Sequence, residues 1–275
     1  MKPIIAADLG NTRAKFGFFE PVDVAFPESN SVLVDIPGDF TGMTDWLESV
    51  CDGNQPVDWW IARTGGGPWN EFQRKLEAFR PGDRFKELSW QDVPIGLSVD
   101  FPEKVGIDRL LAACAVRYWM EHSKKFSSQF RALVVDAGSA VTIDLISGEA
   151  RFAGGAIFPG FNAVAKSLSA ISPKLPWIPT DNISFAVYPG KNTEEALAAG
   201  IYWGAIGAIR QMHQIVCDSL IDTGLPAQVP IFLTGGDAKH LNTGLSMFVD
   251  SDLLYILPDL VLCGIALAAA HSGDF

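Results

Sequence analysis

Twice in this chain an aspartate ends a short apolar run and is followed by a glycine and a short polar residue. The first case is Asp8-Leu9-Gly10-Asn11-Thr12, after Ile4 to Ala7. Gly10 permits a tight turn and lets backbone N–H groups approach a phosphate closely. Asn11 and Thr12 add short polar side chains that reach oxygen atoms. A carboxylate at the end of a strand suits hydrated Mg²⁺, which keeps several waters and takes one or two carboxylates. Turns of Asp, Gly and Asn also close hairpins for purely structural reasons. The second case, Asp136-Ala137-Gly138-Ser139-Ala140-Val141-Thr142, repeats the arrangement in the other half of the chain. Two such turns facing one another would clamp a polyphosphate from both sides. A third turn, Thr234-Gly235-Gly236-Asp237-Ala238, follows an apolar strand and opens a short helix. Its glycine pair leaves room for a flat ring or a ribose against the backbone, and Asp237 is equally suited to a helix cap.

A fourth segment, Pro102-Glu103-Lys104-Val105-Gly106-Ile107-Asp108-Arg109, sets a carboxylate and a guanidinium side by side at a helix start. The carboxylate can accept the proton of a substrate hydroxyl during phosphoryl transfer. The arginine can bind a carboxylate through two parallel hydrogen bonds. The structural alternative is a first-turn Asp favoured by the helix dipole beside a surface Arg.

The three turns, in this order, resemble the two phosphate motifs and the adenosine motif of the actin, Hsp70 and sugar-kinase superfamily. The chain contains no Gly-x-x-x-x-Gly-Lys-[Ser/Thr], so a Walker-type site is not supported. The 102–109 segment is similar to the Pro-x-x-x-Gly-x-Asp-Arg pattern of type III pantothenate kinase. Gly154-Gly155-Ala156-Ile157-Phe158-Pro159-Gly160 and Gly190-Lys191-Asn192-Thr193 resemble two further turns of that family. The resemblance implies ATP-dependent phosphorylation of pantothenate, the first step towards coenzyme A. Kinases of other small hydroxylated substrates and non-catalytic regulatory relatives share the fold and stand as alternatives. By this resemblance Asp8, Leu9, Gly10, Asn11, Thr12, Arg13, Ala14 and Lys15 would meet ATP phosphates, with Asp8 holding Mg²⁺ through water. Ser139, Gly235 and Gly236 would also contact ATP. Asp136 would ligate a monovalent cation, K⁺ or NH₄⁺, and Asp108 would be the catalytic base. Gly106, Ile107, Asp108 and Arg109 would line the pantothenate site. Thr193 would reach the substrate from the partner subunit of a homodimer. Two positions depart from the family: Ser139 replaces a Thr and keeps the hydroxyl, and Val99 replaces a Tyr at the substrate site. Phe101 is the nearby side chain able to substitute for that Tyr.

The elements that must hold these residues follow from periodicity. Strands are expected at Ile4–Ala7, Ala14–Phe19, Ser31–Ile36 and Val57–Ala62. Helices are expected at Met43–Cys51, with Thr41 or Thr44 as cap, at Trp69–Phe79 and at Gly106–His122. The order then restarts, with strands at Ala132–Val135, Val141–Ile146 and Ala150–Phe158 and a helix at Phe161–Ile171. A long helix, Thr193–Leu220, is expected to break at Gly204 or Gly207. Val229–Leu233 reads as a strand. Leu253–Ala270 reads as strand, turn and buried helix, not as a membrane span, since it holds Pro258, Asp259 and Gly264. The fold class this predicts is α/β: two ribonuclease H-like, actin-like ATPase domains, residues 1–125 and 126–275, with mixed sheets flanked by helices and a cleft between them. The Gly65-Gly66-Gly67 run reads as a loop.

Composition agrees with a globular chain: 48% hydrophobic and 19% charged over 275 residues, room for two cores. A net charge of −11 argues against nucleic acid as a partner. Cys51, Cys114, Cys217 and Cys263 are far apart, and His122, His213, His240 and His271 show no paired spacing, so neither a disulfide frame nor zinc is expected. The chain opens without a basic segment and long apolar run, and the expected setting is cytoplasmic.

Overall fold

The computed structural model describes residues 3–10, 13–20, 30–35, 40–51, 55–65, 69–123, 125–126, 130–183, 186–222, 224 and 228–272. Two compact units divide the chain. The first is Met1–Phe126 together with Asp259–Phe275, and the second is Ser127–Pro258.

The first unit contains β1 (Ile4–Leu9), β2 (Arg13–Phe19), β3 (Asn30–Asp35), α1 (Phe40–Val50), β4 (Asp58–Arg63), α2 (Trp69–Phe79), β5 (Arg84–Glu87), the two-residue β6 (Gly96–Leu97) and α3 (Ile107–His122). Its sheet runs β3-β2-β1-β4-β5. β1, β2 and β3 form an antiparallel meander, and β4 and β5 join parallel to β1. Ile5, Ala7 and Leu9 alternate along one face of β1. They pack with Phe16, Met43, Leu47, Trp59, Trp69 and Leu76 into a core beneath α1 and α2. Strand alternation puts Ile4, Ala6 and Asp8 on the other face.

The second unit contains β7 (Ala132–Ala137), β8 (Ala140–Ile146), β9 (Arg151–Pro159), α4 (Phe161–Ile171), α5 (Thr193–Ile221), β10 (Ile231–Thr234), α6 (Ala238–Leu245) and β11 (Leu254–Ile256). Here the order is β9-β8-β7-β10-β11, again antiparallel on one side and parallel on the other. Its core gathers Val135, Val141, Phe161, Tyr202, Ile206, Phe158 and Leu241 between the sheet and α4, α5 and α6. Both units therefore have the strand order and directions expected of ribonuclease H-like domains.

Three expectations are corrected. α5 runs unbroken from Thr193 to Ile221. Gly204 and Gly207 sit inside it with open space where a side chain would be, so neither is needed for a break. α1 begins at Phe40, which leaves Thr44 inside the helix and Thr41 past its start, not at its cap. Finally α7 (Leu260–Ser272) follows the second unit in sequence but packs in the first, on α3, β1, β2 and β4. Its packing requires Gly264: a Cβ there would stand 2.2 Å from the Leu111 carbonyl oxygen, so the two helix backbones touch. The first unit is thus built from two separated pieces of sequence.

Candidate active site

The β1–β2 hairpin builds the first cluster. Gly10 N–H donates to the Arg13 carbonyl at 3.0 Å and closes the turn. The Leu9 carbonyl accepts from Thr64 N–H at 3.1 Å and Gly65 N–H at 3.2 Å, which ties the turn to the end of β4. Gly65 is therefore an anchored residue, while Gly66 and Gly67 lie outside the described residues, as do Asn11 and Thr12. Leu9 and Ala14 are core residues at 5% and 1% exposure; Arg13 is exposed. Asp8 is half-buried and directly opposite Lys15 in the antiparallel register, so the two side chains share a face. Lys15 Nζ makes an ion pair with Asp259, the residue before α7.

The second cluster is the start of α3. Gly106 is its N-cap, with Ile107, Asp108 and Arg109 in the first turn. The Asp108 side chain folds back and accepts the Arg109 N–H at 2.9 Å. That posture depends on Gly106, since a Cβ at 106 would lie 2.6 Å from Asp108 Oδ1. Burial pushes the Asp108 carboxyl above the usual carboxylate range, against the lowering pull of the Arg109 N–H and guanidinium. A carboxyl so placed is a better proton acceptor than an exposed Asp. Val99 is half-buried in the bend after β6. Phe101 is 57% exposed with Lys104 Nζ 4.4 Å above its ring.

In the second unit three turns meet. Asp136, half-buried, pairs with Thr142 across β7 and β8, and Gly138 N–H closes the turn on the Ala140 carbonyl at 3.0 Å. Gly160 N–H donates to the Ser139 carbonyl at 3.1 Å, and a Cβ on Gly160 would stand 2.1 Å from the Gly138 oxygen. Gly235, at φ +87°, brings the third turn against the second: a Cβ there would meet the Ala137 oxygen at 2.3 Å and Asp136 Oδ1 at 2.5 Å. Asp237 N–H then donates to the Ala137 carbonyl at 3.1 Å. Asp237 does occupy the N-cap of α6, but its side chain makes no capping bond. Asp136, Ser139, Gly235 and Gly236 are thereby gathered at one end of the sheet. Ser139 is exposed there, and the space beside Gly236 is open.

Thr193 is exposed at the first position of α5. Its neighbours cap the helix: Glu195 N–H donates to the N-cap Asn192 Oδ1 at 2.9 Å, and Glu195 Oε2 accepts the N–H of Lys191, the residue before the cap, at 2.7 Å. Gly190 is required because a Cβ would stand 2.4 Å from Ala196 N.

Among the described residues no three His, Cys, Asp or Glu side chains converge on one point. Mg²⁺ carried by phosphates and water needs only one or two carboxylates, so the half-buried Asp8 fits it. Asp136, uncrowded by Gly235, fits a single cation held by few protein ligands. All four cysteines are buried and none is in a disulfide, and burial pushes the Cys114 thiol up to about 12 and raises that of Cys263, which keeps both in the protonated thiol form at neutral pH. No helix among the described residues is long and apolar enough to cross a membrane. The residue that sequence reasoning missed is Asp259. Pro258-Asp259 before an apolar run signals a helix start, but nothing in the spacing reveals a partner at Lys15.

A family model described as type III pantothenate kinase matches residues 4–215. A type III pantothenate kinase from Rhodopirellula baltica is 34% identical over 168 residues, 60% of this chain and 55% of that protein. The Acidiphilium cryptum counterpart is 30% identical over 186 residues, 68% of this chain and 61% of that protein. The Legionella pneumophila strain Paris protein is 34% identical over 181 residues, 64% and 63% of the two chains. The matches thus span between about half and two thirds of these relatives. A solved Campylobacter jejuni structure described as Baf family is 22% identical with a TM-score of 0.57, covering 99% of this chain and 100% of that one, and shares the fold.

Proposed function

The chain belongs to the type III pantothenate kinase family, and from that premise we propose that it transfers the γ-phosphoryl group of ATP to the primary hydroxyl of pantothenate. The products are ADP and 4'-phosphopantothenate, and the step opens the route to coenzyme A. Asp108 takes the proton of the attacking hydroxyl. The new O–P bond forms as the bond from the γ-phosphorus to the leaving ADP oxygen breaks. Arg109 binds the pantothenate carboxylate through a two-pronged hydrogen-bonded pair. The Asp8–Lys15 turn meets the phosphates, with Asp8 holding Mg²⁺ through water, and Ser139, Gly235 and Gly236 hold the nucleotide. Mg²⁺, when bound, neutralises charge on the phosphates, and a monovalent cation, K⁺ or NH₄⁺, belongs at Asp136.

The observation that carries this reading is Asp108. It is a carboxyl raised by burial in the first turn of α3, its Oδ1 lying 2.6 Å from where a Cβ on Gly106 would stand, with an arginine next to it. Neither a helix cap nor a surface charge needs that arrangement. Thr193 reaches the substrate of a partner subunit in a homodimer. That reading is supported by its exposure and by the exposed apolar side chains of Val187 and Tyr188 nearby, at 76% and 80%. Buried free thiols accord with a reducing, cytoplasmic setting.

The test is a coupled ADP-release assay with pantothenate, with and without K⁺, beside a panel of sugars and other small alcohols. Pantothenate-dependent, K⁺-stimulated ADP release is expected. Turnover with another acceptor alone would move the substrate assignment, and no turnover with any acceptor would favour a regulatory relative.

A further inference from the structure

Lys15 and Asp259 are 244 positions apart in sequence and form an ion pair within the first unit. The pair is only partly exposed, at 27% and 24% of the two side chains, so it is less screened than a surface pair. A third strand reaches the same carboxylate: Ser31 Oγ, on β3, lies 3.4 and 3.5 Å from the two Asp259 oxygens, a long contact in which one hydroxyl proton is shared between them. Asp259 itself is fixed by the start of α7, its carbonyl accepting Cys263 N–H at 2.8 Å. α7 in turn is locked onto α3 at Gly264, where the backbones leave no space for a methyl group. One carboxylate therefore connects the β1–β2 hairpin to the helix pair that carries Asp108.

We propose that Asp259 is a positioning residue for Lys15, holding its ammonium at the hairpin face shared with Asp8, where nucleotide phosphates are met. The inference rests on the phosphate role of the Asp8–Lys15 turn. A lysine stem has four rotatable carbons and a mobile point charge. Ordering it before the ligand arrives removes part of the entropy that binding would otherwise cost. Ser31 and α7 fix the carboxylate that does the ordering.

The experiment uses the full chain and reads ATP affinity directly by calorimetry, beside the KM for ATP and kcat. Asp259→Asn removes the charge and keeps a side chain able to start a helix. It is expected to weaken ATP binding about tenfold, the size of one charge-assisted hydrogen bond, with kcat changed less than KM. Asp259→Glu should recover part of the loss. The Lys15→Met, Asp259→Asn double variant should bind ATP no worse than Lys15→Met alone, because Asp259 acts through Lys15. Ser31→Ala, at an exposed position on β3, should show a smaller weakening, which keeps the test available if Asp259→Asn folds poorly. Unchanged or tighter ATP binding in Asp259→Asn would overturn the proposal, as would losses that add in the double variant. A drop in melting temperature with normal ATP affinity would make Asp259 a helix-start residue only. Since ATP binding needs no acceptor, a wild-type chain that binds ATP but does not phosphorylate pantothenate would sink the substrate assignment and leave this comparison standing. A wild-type chain that binds no ATP would overturn both.

Discussion

The two units repeat one plan and then spend it differently. β1 and β7 bury their six residues in the same sequence of positions, with an aspartate fifth in each, and β2 and β8 match along all seven. The residue opposite that aspartate differs: Lys15 faces Asp8, whereas Thr142 faces Asp136. The strand ends differ too: β1 ends at Leu9 and β2 begins at Arg13, whereas β7 ends at Ala137 and β8 begins at Ala140. The first unit surrounds its hairpin with charge, through Lys15 and Asp259, and adds the raised carboxyl of Asp108. Its counterpart packs glycines at 160 and 235 against the turn so tightly that no side chain fits. The same scaffold thus serves charge placement in one copy and shape in the other.

If charge placement is the task of the first unit, Asp108→Asn should abolish most turnover and leave the fold intact. A fall in kcat of about 10²–10⁴-fold is expected for loss of a general base, with an unchanged circular dichroism spectrum. Near-normal turnover would remove Asp108 from the chemistry. The pH dependence carries a definite sign. Burial raises the folded-state pKa of Asp108, so the folded chain binds more protons than the unfolded one just above the usual Asp range. Its contribution to stability is present below the unfolded pKa and is lost as pH rises through the raised folded value. Asp108→Asn should therefore melt no lower than wild type at neutral pH, and the gap should close on acidification. The acid limb of wild-type turnover should lie above the ordinary Asp pKa.

If shape is the task of the second unit, Gly235→Ala should damage it through structure. The alanine would adopt a positive φ and press its Cβ to 2.3 Å from the Ala137 oxygen. Together these should cost about 2–4 kcal/mol in urea unfolding. A variant as stable as wild type would show that the turn relaxes and that the glycine serves ligand approach alone. Among the described residues, Gly264 is a comparable backbone contact in the first unit, away from its hairpin. Gly264→Ala should cost about 1–3 kcal/mol by forcing α7 off the Leu111 backbone.

Much of this was legible in the sequence because local signals agreed. The Asp-x-Gly turns marked both hairpins, and the helices Trp69–Phe79 and Phe161–Ile171 match their periodicity end to end. The Gly-x-Asp-Arg start of α3 was readable as a helix opening, and the structure adds why Gly106 is there. Long-range placement was not legible. α7 is apolar on nearly every side, with nine of its residues buried. A helix of that kind announces burial without saying in which unit. β5, Arg84-Phe85-Lys86-Glu87, has the composition of a solvated loop and is a strand because its backbone pairs with β4. The Lys15–Asp259 pair joins the two ends of the chain, and no local pattern encodes it.

The misread break in α5 leads to the smallest predicted effect, and it sharpens the contrast between two helical glycines. Gly264 in α7 is held by contact, while Gly204 in α5 is exposed with nothing within 4 Å of where its Cβ would stand. A mid-helix glycine costs about 0.5–1 kcal/mol relative to alanine, chiefly through backbone entropy. Because α5 is continuous there, with helical residues on both sides, Gly204→Ala should raise stability by about that amount in urea unfolding at low protein concentration. The opposite signs at 204 and 264 would separate glycine required by packing from glycine that is merely tolerated. Destabilisation at Gly204 that grows with protein concentration would instead show that a second copy of the chain packs against this stretch of α5, and that its surface is not open in solution.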